Sequence, residues 1–305
     1  MNTESITPEL LGRSVIAVPP LARHQDHRLN HVGNAQIIRY LEAGGITTLL
    51  YGGNAVFYHI SLGEYAEVLR CLADAAGANT TVIPSVGPAF GTMMDQVLVL
   101  KEFAFPTVMI LPQGEIATSS GRAQGTRIFA ESYGKPIVLY LKHENAMSVG
   151  DVQRIVDEGI VCAIKYAVVH QDPAKDEYLK HLIDVVDPNI IVSGIGEQPA
   201  IVHLRQFHLN GFTSGCVCVQ PALSQEMLRA IKGANWERAE EIRKIFQPLE
   251  DLRNSIHPIR VLHAAVRLAG IADTGPILPL LSPTTLAEDE RIEAAAKVLL
   301  SKNEH

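Results

Sequence analysis

Cysteine is scarce in this 305-residue chain. The four present, Cys71, Cys162, Cys216 and Cys218, lie in apolar segments and form no C-x-x-C pair. That excludes a disulfide framework or a cysteine zinc site and predicts reduced, buried thiols. Basic charge is also short: 26 Lys and Arg stand against 33 Asp and Glu, a formal net charge of −7. Such a balance leaves no electrostatic footprint for nucleic acid or an anionic membrane. No apolar stretch approaches the ~18 residues needed to span a bilayer. Met1-Asn2-Thr3-Glu4-Ser5 carries neither a basic n-region nor an apolar h-region, so no signal peptide is expected. Low-complexity tracts are missing as well. These absences predict a cytoplasmic protein that handles small molecules.

What is present is a rhythm. At 47% hydrophobic and 19% charged the chain can bury a large core, and short apolar runs alternate with longer amphipathic segments. Strands are expected at Ser14–Val18, Thr47–Tyr51, Thr81–Pro84, Thr107–Leu111, Pro136–Tyr140, Val161–Val169, Ile190–Ser193 and from Gly211 to Gly215. Helices fall between them: Asn34–Ala43, ended by Gly44-Gly45; Ser61–Ala75, with Ser61 and Glu64 in a capping-box pattern; then Gly91–Phe103, Ser119–Tyr133, a segment capped by Ser148, Lys175–Val185 and Gln198–Phe207. Eight strand–helix units in about 230 residues match a (β/α)₈ TIM barrel. A doubly wound open sheet fits less well, since it usually has fewer strands and no G-x-G-x-x-G follows the first one. After Ala222 the pattern is helical only, apart from a proline- and glycine-rich stretch from Gly270 to Pro283 that reads as a loop. The expected organisation is a barrel over 1–232 with a C-terminal helical extension, a small bundle, over 233–305.

One residue breaks the pattern. Val161-Cys162-Ala163-Ile164-Lys165-Tyr166-Ala167-Val168-Val169 reads as a fully buried parallel strand, yet it holds a lysine. Burying an unpaired ammonium costs several kcal/mol, so the amine pairs, loses its proton, or snorkels to water from the strand end. A neutral amine forms a Schiff base with a ketone or aldehyde. In a barrel the chemistry sits at the C-terminal ends of the strands. There Tyr140, closing Ile137-Val138-Leu139, is placed to meet Lys165. Its phenol both donates and accepts, as a proton shuttle must.

The segments IVLY at 137–140, AIK at 163–165 and IVSGIGE at 191–197 resemble the dihydrodipicolinate synthase/N-acetylneuraminate lyase family over about Ser14 to Leu268. The resemblance implies a (β/α)₈ barrel with a helical C-terminal extension, a class I aldolase or lyase reaction on pyruvate, Lys165 as the imine-forming lysine and Tyr140 as the acid/base tyrosine. It also places the Ser193-Gly194 backbone near the substrate and implies a homo-oligomer, a dimer or a tetramer. Departures matter as much. The family's G-T-T-G-E reads here Gly52-Gly53-Asn54-Ala55-Val56, so both threonines of that motif are gone. Amides of a glycine-rich turn still cradle a carboxylate, and the Asn54 side chain adds a donor but cannot relay protons. The family's tyrosines after strand four give way to Gln113-Gly114, and the arginine by which the synthase proper holds its second substrate gives way to Asn145. That argues for another electrophile or a cleavage substrate and leaves imine chemistry intact.

The expected mechanism is attack of Lys165 on a 2-oxo acid such as pyruvate, with the carboxylate held by amides from Gly52 to Asn54. Tyr140 moves protons during dehydration, aldol addition or cleavage, with an aldehyde as the second partner. A protonated imine is its own electron sink, so no metal or organic cofactor is expected. Lys142, His143 and Glu144 lie where a substrate-selecting group would sit, though solvated loop charges are the default. Tyr58 and His59 follow the altered glycine motif toward the same rim. His24, His27 and His31 cluster in the first loop without a carboxylate or cysteine at ligand spacing, so no metal site is expected there. The alternative reading is a catalytically impaired barrel that binds a small oxo acid or sugar acid as a sensor or partner module.

Overall fold

A computed structural model of the chain describes residues 1–114 and 116–302, with Asn145 described by its backbone alone. Nine parallel strand segments form one sheet in the order β3-β2-β1-β9-β8-β7-β6-β5-β4. They are β1 (Ile16–Ala17), β2 (Thr48–Leu50), β3 (Thr81–Ile83), β4 (Ser85–Val86), β5 (Met109–Ile110), β6 (Ile137–Leu141), β7 (Val161–Tyr166), β8 (Ile191–Ser193) and β9 (Gly211–Ser214). The two ends of that order, β3 and β4, are one stretch of chain interrupted at Pro84. Proline has no N–H for the ladder, but the Pro84 carbonyl still accepts from the Met109 amide at 2.9 Å. Eight expected strands therefore appear as nine segments, and the sheet curls into a nearly closed barrel.

Both faces of the sheet are covered, which is why its strands are short and almost wholly apolar. The helices α2 (His31–Ala43), α3 (Leu62–Ala75), α4 (Phe90–Leu100), α5 (Ser119–Tyr133), α6 (Val149–Asp157) and α7 (Glu177–Ile183) form the outer layer, each packed on the next. The helices α8 (Glu197–Gln206) and α9 (Pro221–Lys232) complete it. Caps expected from sequence are formed. Ser61 Oγ accepts from the Glu64 amide and Ser148 Oγ from the Asp151 amide. The reciprocal half of the Ser61 box is absent, because the Glu64 carboxylate turns instead to the buried Arg23 guanidinium. A short helix missed in the sequence, α1 (Pro8–Arg13), opens the chain under a Thr7 cap.

Past the barrel, α10 (Trp236–Ser255) packs on α8 and α9, and α11 (Pro258–Leu268) and α12 (Leu286–Leu300) pack on α10 and on each other. The stretch Gly270–Pro283 contains no helix or strand, as its composition requires. Among the described residues no helix is long and apolar enough to cross a membrane.

Candidate active site

Lys165 lies on β7, next to the strand's last residue, and is only 6% exposed. Its register partner on β6 is Tyr140. Residues paired across neighbouring strands point the same way, so both side chains enter the barrel together. The Lys165 Nζ stands over the Tyr140 ring, 4.6 Å from its centroid. A bulge produces this pairing: Ile137 faces Val161 while Val138 faces Ala163, leaving Cys162 as the extra residue. Without that extra residue the count would bring Ile164 opposite Tyr140. Gly194 presses on the lysine from β8's end. A Cβ there would meet the Lys165 Cγ at 3.0 Å and the Tyr166 carbonyl at 2.8 Å, so only glycine leaves the amine's stem its course.

Among the described residues no carboxylate lies within ion-pairing distance of the Lys165 amine. Its charge is thus opposed from two directions. Burial, with like charge from Arg253 and then Lys142, pulls the amine down to about 7. The Tyr140 phenol is pushed up to about 12 by burial, with Arg253 acting in the opposite direction. Arg253 comes from α10, so the C-terminal helices contribute charge to the barrel mouth.

At the end of β2 the chain turns through Gly52, Gly53, Asn54 and Ala55. Their four consecutive amides donate to no protein acceptor among the described residues. The turn closes on itself through Val56 and Phe57, whose amides donate to the Gly53 and Gly52 carbonyls. Val56 has φ 54°, a left-handed conformation that a β-branched residue adopts only under constraint. The Asn54 side-chain Nδ2, by contrast, is already engaged, donating to the Val18 carbonyl at 2.9 Å, so it ties the turn to the end of β1 instead of facing outward. Tyr58 is turned inward, its ring edge 3.8 Å from where a Gly53 Cβ would stand, and the phenol is raised by burial and then by neighbouring Tyr140. His59 points to solvent.

Ser193 shares register with Tyr166, not with Lys165. Its hydroxyl forms a buried 2.8 Å hydrogen bond with His203 Nδ1 of α8, so the side chain faces the helices and only its backbone borders the mouth. The Gly194 amide donates to the Tyr166 carbonyl.

The model of the dihydrodipicolinate synthetase family matches residues 12–299. The chain belongs to that family. A relative from Acinetobacter baumannii, described as a probable 5-dehydro-4-deoxyglucarate dehydratase, is 18% identical over 298 residues, covering 95% of this chain and 96% of the other. The fold is shared with dihydrodipicolinate synthase from Oceanobacillus iheyensis (TM-score 0.84, 20% identity, 97% of this chain and 99% of that one). It is also shared with the sialic acid aldolase of Ruminococcus gnavus (TM-score 0.82, 13% identity, 94% and 97%). As a member of the dihydrodipicolinate synthetase family the protein is a lyase, an aldolase or a dehydratase, acting on a small molecule.

Three groupings in this family member are not legible in its sequence. Glu197 and Glu250 are both buried beside Cys216. Glu197 accepts from Ser214 Oγ at 2.8 Å and Ser224 Oγ at 2.7 Å, and its own amide donates to Glu250 at 2.9 Å. Burial raises both carboxyls, Glu250 the further because Glu197 adds like charge. Gly196, at φ 103°, lies against Glu250 where a side chain would collide with the carboxylate. A second grouping brings Glu144, His170 and Asp176 together beyond β6 and β7. The third is an apolar cavity of about 470 Å³ between α4 and α5, which Tyr140 lines and Lys165 does not. This cavity lies beside the Lys165–Tyr140 pair, not over it. His24, His27 and His31 are all exposed. His31 Nε2 lies 3.0 Å from Glu67 Oε1, but none of the three belongs to a group of three or more ligand atoms among the described residues. The side chain of Asn145, at the position of the synthase's arginine, lies outside the described part of the structure.

Proposed function

We propose that the protein is a Schiff-base lyase acting on pyruvate or a related 2-oxo acid, with carbon–carbon bond formation, cleavage or dehydration as its reaction. The observation that carries this is the Lys165 amine, buried with no carboxylate partner among the described residues and set over the Tyr140 ring. With its pKa near 7 a large share of the amine is neutral at cellular pH and free to attack a ketone carbon. The nitrogen adds to C2 of the oxo acid to give a carbinolamine. Tyr140 gives its proton to the departing hydroxyl, which leaves as water, and the protonated imine remains beside the tyrosinate, which can then take a proton from the substrate. That cation withdraws electrons from C3, so a C3 proton or the C3–C4 bond can be released and the resulting enamine reprotonated or trapped by an electrophile. The amides of Gly52, Gly53, Asn54 and Ala55, with no protein acceptor among the described residues, suit the substrate carboxylate. Tyr58, beside the glycine turn, is able to pass protons where the family's threonine is missing.

The relative described as a dehydratase of 5-dehydro-4-deoxyglucarate points to sugar acids with a carboxylate at each end. Arg253 and Lys142 supply positive charge at the mouth for the second one. Assembly into a homodimer or tetramer is part of the same reading.

The test is intact mass after incubation with pyruvate and sodium borohydride. A reduced pyruvyl adduct on Lys165, lost in Lys165→Ala, is expected. An adduct that survives that substitution, or none from pyruvate or from a panel of longer 2-oxo acids, would overturn the reading.

A further inference from the structure

Beyond the imine site, the loops after β6 and β7 bring together three ligand-type side chains from separate parts of the chain. His170 Nε2 stands 3.1 Å from Asp176 Oδ2 and 3.3 Å from Glu144 Oε1, and all three donor atoms lie within 4.8 Å of one another. The ring nitrogen is shielded from solvent, yet neither oxygen meets it in hydrogen-bond geometry. A buried imidazole nitrogen left without a hydrogen bond is costly, and here it is directed between two oxygens. We propose that Glu144, His170 and Asp176 form a binding site for a divalent transition cation, zinc in the first instance.

Donor spacing fits. Zinc binds imidazole nitrogen and carboxylate oxygen at about 2.0–2.2 Å in a tetrahedron, which sets neighbouring donors about 3.3–3.5 Å apart. Two carboxylates balance the ion's charge, and the set of one histidine and two carboxylates leaves the fourth position for water. The ligands are also held from behind. Tyr166 Oη donates to Asp176 Oδ2 at 2.6 Å and the Leu179 amide to Asp176 Oδ1 at 2.8 Å, the outer contacts that orient a metal carboxylate. Oδ2 keeps a second lone pair for the ion. Access is open, since Glu144 is 46% exposed and a cleft of about 440 Å³ runs over Lys142, Glu144 and His170. Tyr166 follows Lys165 directly on β7. An ion here would clamp the β6 loop, the β7 loop and the start of α7 around the barrel mouth. This assignment stands independently of the imine chemistry.

The test is calorimetric titration of the chelator-stripped full chain with zinc chloride, alongside cobalt(II) absorption as a report on geometry. One zinc per chain at micromolar affinity or tighter is expected, with the intense visible bands of tetrahedral cobalt. His170→Ala should weaken zinc on the order of 100-fold or more, and Glu144→Gln, an exposed loop position that cannot unfold the chain, on the order of 10-fold. Replacing His24 and His31 together by alanine should change nothing. Failure of the wild-type chain to bind saturably, or undiminished affinity in both His170→Ala and Glu144→Gln, would overturn the proposal.

Discussion

Two sets of buried ionisable groups sit at the C-terminal end of the barrel, and they are held in opposite ways. Among the described residues Lys165 has no carboxylate beside it; a glycine lies against its stem and the Tyr140 ring under its nitrogen. Glu197 and Glu250 are tied by two serine hydroxyls and a backbone amide into a joint between β9, α8, α9 and α10. Burial shifts both sets toward their neutral forms, the amine downward and the carboxyls upward. The difference is in satisfaction. Glu197 accepts at both oxygens and Glu250 at Oε1, with Glu250 Oε2 buried and unpartnered among the described residues, so this pair is a mostly hydrogen-bonded structural fastening. An amine with no carboxylate partner among the described residues instead stores its desolvation cost as reactivity.

The sharpest way to separate the two is to remove the hydroxyl that serves only the reactive side. Tyr140→Phe should lower turnover on the order of 10²–10⁴-fold with an unchanged unfolding midpoint in urea. A stability loss of the same rank as the kinetic one would mean that Tyr140 is a packing residue. On the carboxyl side Glu250→Ala should cost about 3–5 kcal/mol, since it leaves Glu197 and its amide in a cavity, while Glu250→Gln should cost under about 1 kcal/mol. The pH dependence adds a sign. A carboxyl raised in the folded state holds its proton there after the unfolded chain has lost it, so wild-type stability falls as pH climbs from the ordinary carboxylate range through the raised value. Denaturation curves of Glu250→Gln should be flatter over that window. If they track wild type, the pair is ionised in the fold.

A gain in stability is the most telling effect. Lys165→Met removes a buried charge and should stabilise the chain by about 1–3 kcal/mol at pH 6, as it abolishes the borohydride adduct. For an amine lowered to about 7 in the fold the unfolded chain binds the extra proton between there and its ordinary range. The penalty is therefore complete below about 7 and fades as pH rises toward 10, and the gain from methionine should shrink in step. A gain that is flat with pH, or a loss, would place Lys165 among the fastenings.

The barrel was legible because most strands are short apolar runs closed by glycine or proline, and Lys165 was legible because a charge inside such a run is anomalous. Pro84 read as the end of a strand, since nothing local says that pairing resumes at Ser85. The six residues of α1 are too few for a periodic signal. Glu250 and Arg253 were hidden for another reason: Trp236–Ser255 carries charges on every side, and which of them is buried depends on how the helix is rolled against α8 and α9. The same limit applies to Ser193 and Asn54. Their types suited a substrate contact, but the bonds to His203 and Val18 that occupy them are tertiary. Glu144, His170 and Asp176 lie on loops, where no periodicity says which side chains converge.

The register of Tyr140 with Lys165 has a consequence for how such an enzyme can change. The distance between the two groups is set by neighbouring strands of one sheet, and no loop enters into it. Segments beyond residue 141 and residue 166 can therefore be lengthened, shortened or exchanged between relatives without moving the Lys165–Tyr140 pair proposed to do the chemistry. New substrates become accessible by recombination at the rim while the reaction itself is inherited unchanged, provided the two rim segments joined through Glu144 and His170 are exchanged as one piece.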